Sequence, residues 1–355
     1  VHLLFPEETL RSNIVLVAVA IAASATGAFG SNLFVTPIFD SSITGDANAA
    51  AIEMAINAAI TAINNTYSTP ITVPIYFQEG GGLGQSNFWT YNQDYQTYYN
   101  DLVNTNANPA AIAGLISAGG NSSTNPVGGG TTIEIKSANA RAVGINIAPG
   151  CNVTPASGQG IPNDCATFPD ATGTPTGTMV DGIISLQTFI TSPPGTLGGT
   201  KYDLTSVAEH EIDEILGLGS ALQNVSAASG NPITSFGVGS PEDLFRYNAM
   251  MGGSLSGLTL DCAAPPSAYF AYGSSTGAIA QFNTGCNGAD FGDWSNNGSV
   301  QDAYGTPGVV LPYSAAEIDA LSAIGYGTST TPEPGTFGLI GGGIAAVAAI
   351  RRRGK

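Results

Sequence analysis

The chain has 355 residues and a formal net charge of −17 at pH 7, with 9 Lys and Arg against 26 Asp and Glu. That balance excludes a nucleic-acid-binding surface, which needs a basic face to displace counterions from phosphates, and it favours cations as partners. With 47 glycines and 10% charged residues, yet 43% hydrophobic ones, the composition is that of a loop-rich folded protein rather than a disordered one.

Residues 1–30 read as an export signal. Arg11 is the positive flank, 14–22 form a short apolar run, and Ala23-Ser24-Ala25 or Thr26-Gly27-Ala28 offer small residues for cleavage. Glu7 and Glu8 ahead of Arg11 point to a true start other than Val1. The period of Ile52, Ile56, Ile60 and Ile63 predicts a helix over 47–63, ended by Pro70. A strand follows over 71–77, where Pro74 argues for a sheet edge. Residues 80–84 read as a turn and 91–102 as a second helix, running weakly to 106, with 110–116 as an extension. Strands are predicted at 131–136, 142–147 and 181–186, with a loop over 151–175 and a turn over 193–199.

Residues 206–219 carry the chemistry. His210, the only histidine beyond His2, opens an H-E-x-x-E pattern with Glu211 and Glu214. Positions i and i+4 share one helical face, so His210 and Glu214 can hold one metal ion between them, with Glu211 beside them as a general base. Ser206 and Glu209 read as a capping box for this helix, and Gly217 and Gly219 as its stop. The competing reading is an acidic helix start, where Glu209, Glu211, Asp213 and Glu214 complement the helix dipole; Asp213 is also a ligand candidate. Beyond it, 220–312 read mostly as loop, and 314–324 as a short closing helix. Oxygen-rich loops around Asp290, Asp293 and Asp302 could take calcium, although turn formation is the simpler reading.

The four cysteines, Cys151, Cys165, Cys262 and Cys286, fit disulfides in an exported chain. Nearest-neighbour pairing gives Cys151–Cys165 and Cys262–Cys286, one of three connectivities. No C-x-x-C pair is available for a zinc–thiolate site.

Two resemblances sharpen these expectations. Thr331-Pro332-Glu333-Pro334-Gly335, the apolar stretch 337–350 and Arg351-Arg352-Arg353 closely resemble the PEP-CTERM sorting signal of exopolysaccharide-forming Gram-negative bacteria. The resemblance implies export, processing near 332–334 by an exosortase, and transient anchoring in the inner membrane through a short transmembrane segment at 337–350, arginines inward. The product would be secreted or held at the cell surface.

The second resemblance is to the metzincin frame H-E-x-x-H-x-x-G-x-x-H. His210, Glu211 and Gly217 match; Glu214 and Ser220 stand where histidines would be. Glu242-Asp243-Leu244-Phe245-Arg246-Tyr247, Phe291-Gly292-Asp293-Trp294 and Glu317-Ile318-Asp319-Ala320-Leu321 are similar to blocks of metallopeptidases bearing PEP-CTERM tails. The implied fold is α/β (α+β) and zincin-like: a twisted mixed sheet with packed helices plus an irregular C-terminal lobe. It would span 31–327, with an N-lobe over 31–219, a C-lobe over 220–327 and a sorting signal over 328–355. Strand 181–186 would form the cleft edge that pairs with an extended substrate.

The implied activity is that of a metal-dependent endopeptidase acting on polypeptides, with zinc, or manganese or iron, as cofactor. Glu211 would be the base; His210, Glu214 and an acid downstream, Asp243 first and Glu242 next, would be the ligands. Arg246 would brace the carboxylates, Tyr247 would stabilise the oxyanion, and Met250 or Met251 would form an apolar floor. The alternative is an inactive zincin scaffold that binds a surface or the exopolysaccharide matrix.

Overall fold

Along the chain of this computed structural model the elements run β1 (Phe34–Phe39), α1 (Ser41–Thr44), α2 (Ala49–Thr66), β2 (Thr72–Glu79), β3 (Gly84–Phe88), β4 (Thr90–Asp94), α3 (Tyr95–Thr105), α4 (Pro109–Ser117), β5 (Thr132–Lys136), α5 (Ser137–Ala142), β6 (Cys151–Val153) and β7 (Thr178–Val180). Then come β8 (Gly182–Leu186), β9 (Thr191–Ser192), β10 (Tyr202–Asp203), α6 (Leu204–Leu216), β11 (Val238–Gly239), a 3-10 turn (Glu242–Phe245), β12 (Arg246–Ala249), β13 (Leu255–Leu258), β14 (Ala268–Phe270), β15 (Ala280–Gln281) and α7 (Ala315–Ala323). The structure describes residues 32–127, 129–153, 165, 177–193, 196–221, 238–249, 255–258, 268–283, 290–295 and 297–329.

This is a mixed α/β fold with several sheets. The sheet that matters for the site is four-stranded, in the order β1-β2-β8-β3. β1, β2 and β8 are parallel, and β3 is added antiparallel to β8 at the edge. Such a sheet buries its middle strands on both faces, and all five residues of β8 are buried. The isoleucines of α2 (Ile52, Ile56, Ile60 and Ile63) lie in the core, where α2 packs against α6 and against β1. Each such side chain contributes roughly 1.5–3 kcal/mol by leaving water. A β4-β5-β11 sheet flanks this layer, and a four-stranded sheet, β13-β12-β14-β15, forms the C-terminal part.

Several expectations give way here. β2 is not an edge strand: it lies between β1 and β8. Pro74 is tolerated because the β8 ladder starts only at Ile75, and the Pro74 carbonyl still accepts from Asp181 N–H at 2.8 Å. Residues 84–88, expected to follow a bare turn, are strand β3, and this strand is the sheet edge instead of 182–186. The helix expected from 91 starts at Tyr95, because Asp94 caps it by accepting from Thr97 N–H at 2.9 Å, while Thr90–Asp94 pair with β5. The strand expected at 142–147 is replaced by α5 and a turn at Gly144, whose φ of 95° favours glycine. Alternation of Val143, Ile145 and Ile147 had no neighbouring strand to pair with. The region 220–312 is less loop-like than expected: its described residues hold β11 to β15.

Cys151 and Cys165 are bridged, the first of the two nearest-neighbour pairs. Cys262 and Cys286 lie outside the described residues, as do the export signal over 1–30, Met250 and Met251.

Candidate metal centre

Helix α6 is fixed at both ends. Its N-cap is Asp203, not Ser206: the Asp203 carboxylate accepts from the N–H and hydroxyl of Ser206, both at 2.9 Å. Ser206 Oγ also ties the helix to the 300–311 segment by accepting from the Leu311 N–H at 3.1 Å. At the other end, Lys136 on β5 donates to the carbonyls of Glu214 (2.6 Å) and Leu218 (2.5 Å). A cation there complements the negative end of the helix. The apolar face (Leu204, Ala208, Ile212, Ile215, Leu216) is buried, so rotation of the helix is set by packing and His210 must face the other way.

That other face floors a cleft of about 390 Å³. Its walls are edge strand β3 with Leu83, the acids Asp290 and Asp293, and the 300–311 segment. His210 Nδ1 lies 2.9 Å from the Val300 carbonyl. A carbonyl only accepts, so Nδ1 must carry the proton, and in the neutral ring Nε2 keeps its lone pair. Nε2 faces Glu214 Oε1 and Asp293 Oδ1, each at 3.8 Å. Two atoms bound to one ion at ~2.0–2.2 Å can be at most ~4.4 Å apart, so each of these two pairs is close enough to share a divalent cation. Ligand atoms of His210, Glu211 and Glu214 lie within 4.8 Å of one another, and so do those of Glu214, Asp290 and Asp293.

Neighbours orient each of these groups. Ser86 of β3 donates to Glu214 Oε2, and Gln301 donates to Asp293 Oδ1 at 3.0 Å. Glu211 is 5% exposed and its Oε2 has no hydrogen-bond partner. Its carboxyl lies against Gly84, where any Cβ would collide with it. Asp290 and Asp293 reach the helix through a backbone contact. A Cβ on Gly292 would strike the backbone of Gly219, so only glycine lets the two segments approach this closely. Arg246 holds the same segment by donating to the Phe291 carbonyl, with its guanidinium 3.8 Å over the Phe282 ring.

Four carboxylates converge on one imidazole and one buried ammonium. Burial, then Glu214, pushes Glu211 well above the usual carboxylate range. Burial and Glu214 carry Asp290 up to about 7, and burial with Asp290 and Glu214 raises Asp293 well above its ordinary value. Burial opposes the charged form of His210, but Glu211, Glu214 and the Val300 carbonyl leave its pKa raised. Burial lowers Lys136 despite the acids around it. A divalent cation at the cluster would relieve the repulsion among these acids.

The structure does not bring every expected site residue here. Asp243 accepts from Ser220 Oγ (2.6 Å), Ala221 N–H (3.0 Å), Ser240 N–H (3.0 Å) and Ser240 Oγ (2.9 Å), and pairs with Arg246 at 3.3 Å. Glu242 accepts from Gly219 N–H at 2.5 Å. Both acids fasten the end of α6 to the C-terminal part, and the acids facing His210 are Asp293 and Asp290 instead. Sequence reasoning set Asp293 aside as a turn former, although its Phe291-Gly292-Asp293-Trp294 block was the available signal. Tyr247 is buried against a separate cavity beside α4, and its hydroxyl has no partner among the described residues. An oxyanion role for it therefore has no geometric support. Asp213 points away from the cleft and accepts from Tyr313 at 2.8 Å. Asp302 is a turn former: it accepts from Asn297 and Gly298 N–H, both at 2.8 Å.

Among known proteins, the family described as the PEP-CTERM protein-sorting motif matches residues 330–353. No curated protein and no solved structure matches the chain. The motif supports an extracytoplasmic or surface location and association with an exosortase-type anchoring system. The transmembrane segment expected at 337–350, and the transient membrane anchor built on it, are withdrawn. No helix among the described residues is long and apolar enough to cross a membrane, and 337–350 lies outside those residues.

Proposed function

We propose that the protein is an exported metal-dependent endopeptidase with a zincin-like domain over 31–327, between an export signal at 1–30 and the sorting signal at 328–355. One observation carries the reading. The Val300 carbonyl fixes the tautomer of His210, so that Nε2 faces the carboxylates of Glu214 and Asp293 at 3.8 Å in an open cleft. Orientation of the distal ring nitrogen is what a metal-ligating histidine requires.

His210, Glu214 and Asp293 are the proposed ligands, with Asp290 next to them in place of Asp243. A divalent ion held there supplies a Lewis acid that acidifies water and polarises a carbonyl. Two carboxylates to one imidazole make the set oxygen-rich, so manganese or iron competes with zinc better than at a two-histidine site. Glu211 is the general base. Its buried, raised-pKa carboxylate takes a proton from water in the cleft and delivers it to the leaving amine. Polypeptide is the substrate because the cleft is bounded by β3, an edge strand among the described residues, which can add an extended chain.

The test is metal content and chelator response of the purified protein. One equivalent of divalent metal is expected, with hydrolysis of unfolded protein that stops on chelation and returns with zinc or manganese. Full metal occupancy with no cleavage of a broad peptide library would sink the peptidase reading and favour the inactive binding scaffold.

A further inference from the structure

A second cavity, of about 500 Å³, shares no lining residue with the cleft of the metal centre. One wall is α4, which turns Ala110, Ala113, Gly114 and Ser117 to it at helical spacing. The other is the turn Gly273–Thr276, and Tyr247 of β12 lines the cavity as well. Backbone contact fixes the width. A Cβ on Gly114 would lie 1.4 Å from the Tyr272 carbonyl oxygen, so only glycine lets α4 meet this turn. The N–H and hydroxyl of Thr276 both donate to the Gly273 carbonyl, at 3.1 and 2.8 Å, and hold the turn in shape. Among the described lining residues there is no acid, lysine, arginine or histidine. The hydroxyls are unevenly used. Ser117 donates to the Ala113 carbonyl at 2.9 Å and Thr276 to that of Gly273, so both have only lone pairs left to offer. Tyr247 is the reverse: it is 1% exposed, and its hydroxyl has no partner among the described residues. Burial raises its pKa to about 12, so at neutral pH it keeps a proton to donate. A buried hydroxyl left unpaired is costly, and a ligand that accepts from it removes that cost.

We infer that this cavity binds a neutral, polyhydroxylated ligand, a saccharide unit, with Tyr247 as the donor to it. The inference goes beyond the peptidase reading and does not rest on it. The lining decides the ligand class in two steps. A charged ligand would leave water without a countercharge in the cavity, and the net charge of −17 repels anions from the protein as a whole. A ligand that only accepts, such as a simple carbonyl compound, would answer Tyr247 and leave the lone pairs of Ser117 and Thr276 unused. A hydroxyl both donates and accepts, so a ring bearing several of them answers both kinds of group. The methyl groups of Ala110 and Ala113 offer the apolar surface against which the C–H groups of such a ring can pack. The volume lies within the ~300–1,000 Å³ of small-molecule sites.

The test is calorimetric titration of the purified protein with maltose, cellobiose, lactose and mannobiose, and with cellobiouronic acid and the glucosamine disaccharide as charged counterparts. At least one neutral disaccharide should bind, roughly tenfold or more tightly than both charged ones. Tyr247→Phe removes only the hydroxyl. It should weaken that binding about fivefold, the worth of one hydrogen bond, and leave the melting temperature unchanged or higher, because the hydroxyl is unpaired in the free protein. Ala113→Glu, at an exposed helix position, puts charge and bulk into the cavity and should abolish binding in a folded protein. Electrophoresis through gels containing dextran tells the source: retardation assigns the site to a polysaccharide chain, and disaccharide binding without retardation to a free sugar. No binding of any neutral disaccharide up to millimolar concentration would overturn the inference, as would equal binding of the charged ones or unchanged binding in both variants. Binding lost on chelation would overturn it too, by placing the sugar at the metal centre. Sugar binding that survives chelation in a protein that cleaves no peptide would count against the peptidase reading alone.

Discussion

Two groups of buried acids lie a few residues' reach from the end of α6, and they do opposite things. Asp243 is saturated: two hydroxyls, two backbone N–H groups and Arg246 occupy its oxygens. Glu211, Glu214 and Asp293 have far fewer donors, and what they face is the lone-pair side of His210. Asp243 is finished by the protein itself. The acids facing His210 are left with unmet demand for positive charge. The difference shows that a buried acid is identified as a ligand by the donors it lacks, not by its residue type or its distance in sequence from a motif.

The largest effect should come from Glu211→Gln. Loss of the base should lower peptide hydrolysis by about 10²–10⁴-fold while metal content stays at the wild-type level, measured by turnover and elemental analysis on the same sample. Metal loss in this variant would make Glu211 a ligand and blur the division of roles.

Next, Asp243→Ala and Asp293→Asn should part company. Asp243→Ala leaves Arg246 buried without its partner and should cost about 3–5 kcal/mol in denaturant unfolding. Asp293→Asn should abolish the shift of melting temperature on adding metal, and should raise the melting temperature of the chelated protein at pH 7. The sign follows from the raised pKa of Asp293: at neutral pH its charged form is disfavoured in the folded state, so removing the charge helps. If Asp243→Ala alone lost metal specifically, with stability intact, the contrast between the two groups would collapse.

A smaller effect is expected from Gly84→Ala. The added methyl meets the Glu211 carboxyl, which lines the cleft and must shift to make room. Displacing the base by a fraction of its length should cost about 10²-fold in turnover with metal retained. Gly81→Ala, where a Cβ meets nothing, is the control and should be silent.

The smallest signal is a pH slope. Asp290 has a folded-state pKa of about 7, and Glu211 and Asp293 are also raised. The unfolded chain releases these protons near pH 4. Their contribution to stability is therefore complete below about pH 4 and is lost as pH rises toward 7 and beyond. Metal-free protein should lose stability over that window, and saturating divalent metal should flatten the slope. A metal-free protein with no slope would mean that the cleft acids are not in conflict.

Local spacing carried the helical part of the candidate site. His210, Glu211 and Glu214 were legible because helical spacing is a property of a few consecutive residues. The helix itself was legible from that spacing and from its stop at Gly217. Its cap was misread by one turn because Asp203 and Ser206 are both good caps, and only the chain entering from β10 chooses between them. Edge strand β3 was hidden: Gly84-Gln85-Ser86-Asn87-Phe88 has no apolar alternation, and it becomes a strand because β8 offers it a ladder. The Phe291–Trp294 block marked Asp293 in the sequence, but not that it would meet His210, for the same reason. Asp243 follows the helix more closely in the chain, but contact in space is decided by packing. A glycine-on-glycine approach and the hold of Arg246 on the Phe291 carbonyl bring the Asp290–Asp293 segment to His210. The sequence alone determined the chemistry of one helical face and the export address. The tertiary structure decided which distant carboxylates share that face, because hydrogen-bond donors left over after packing, unlike residue spacing, exist only in the folded molecule.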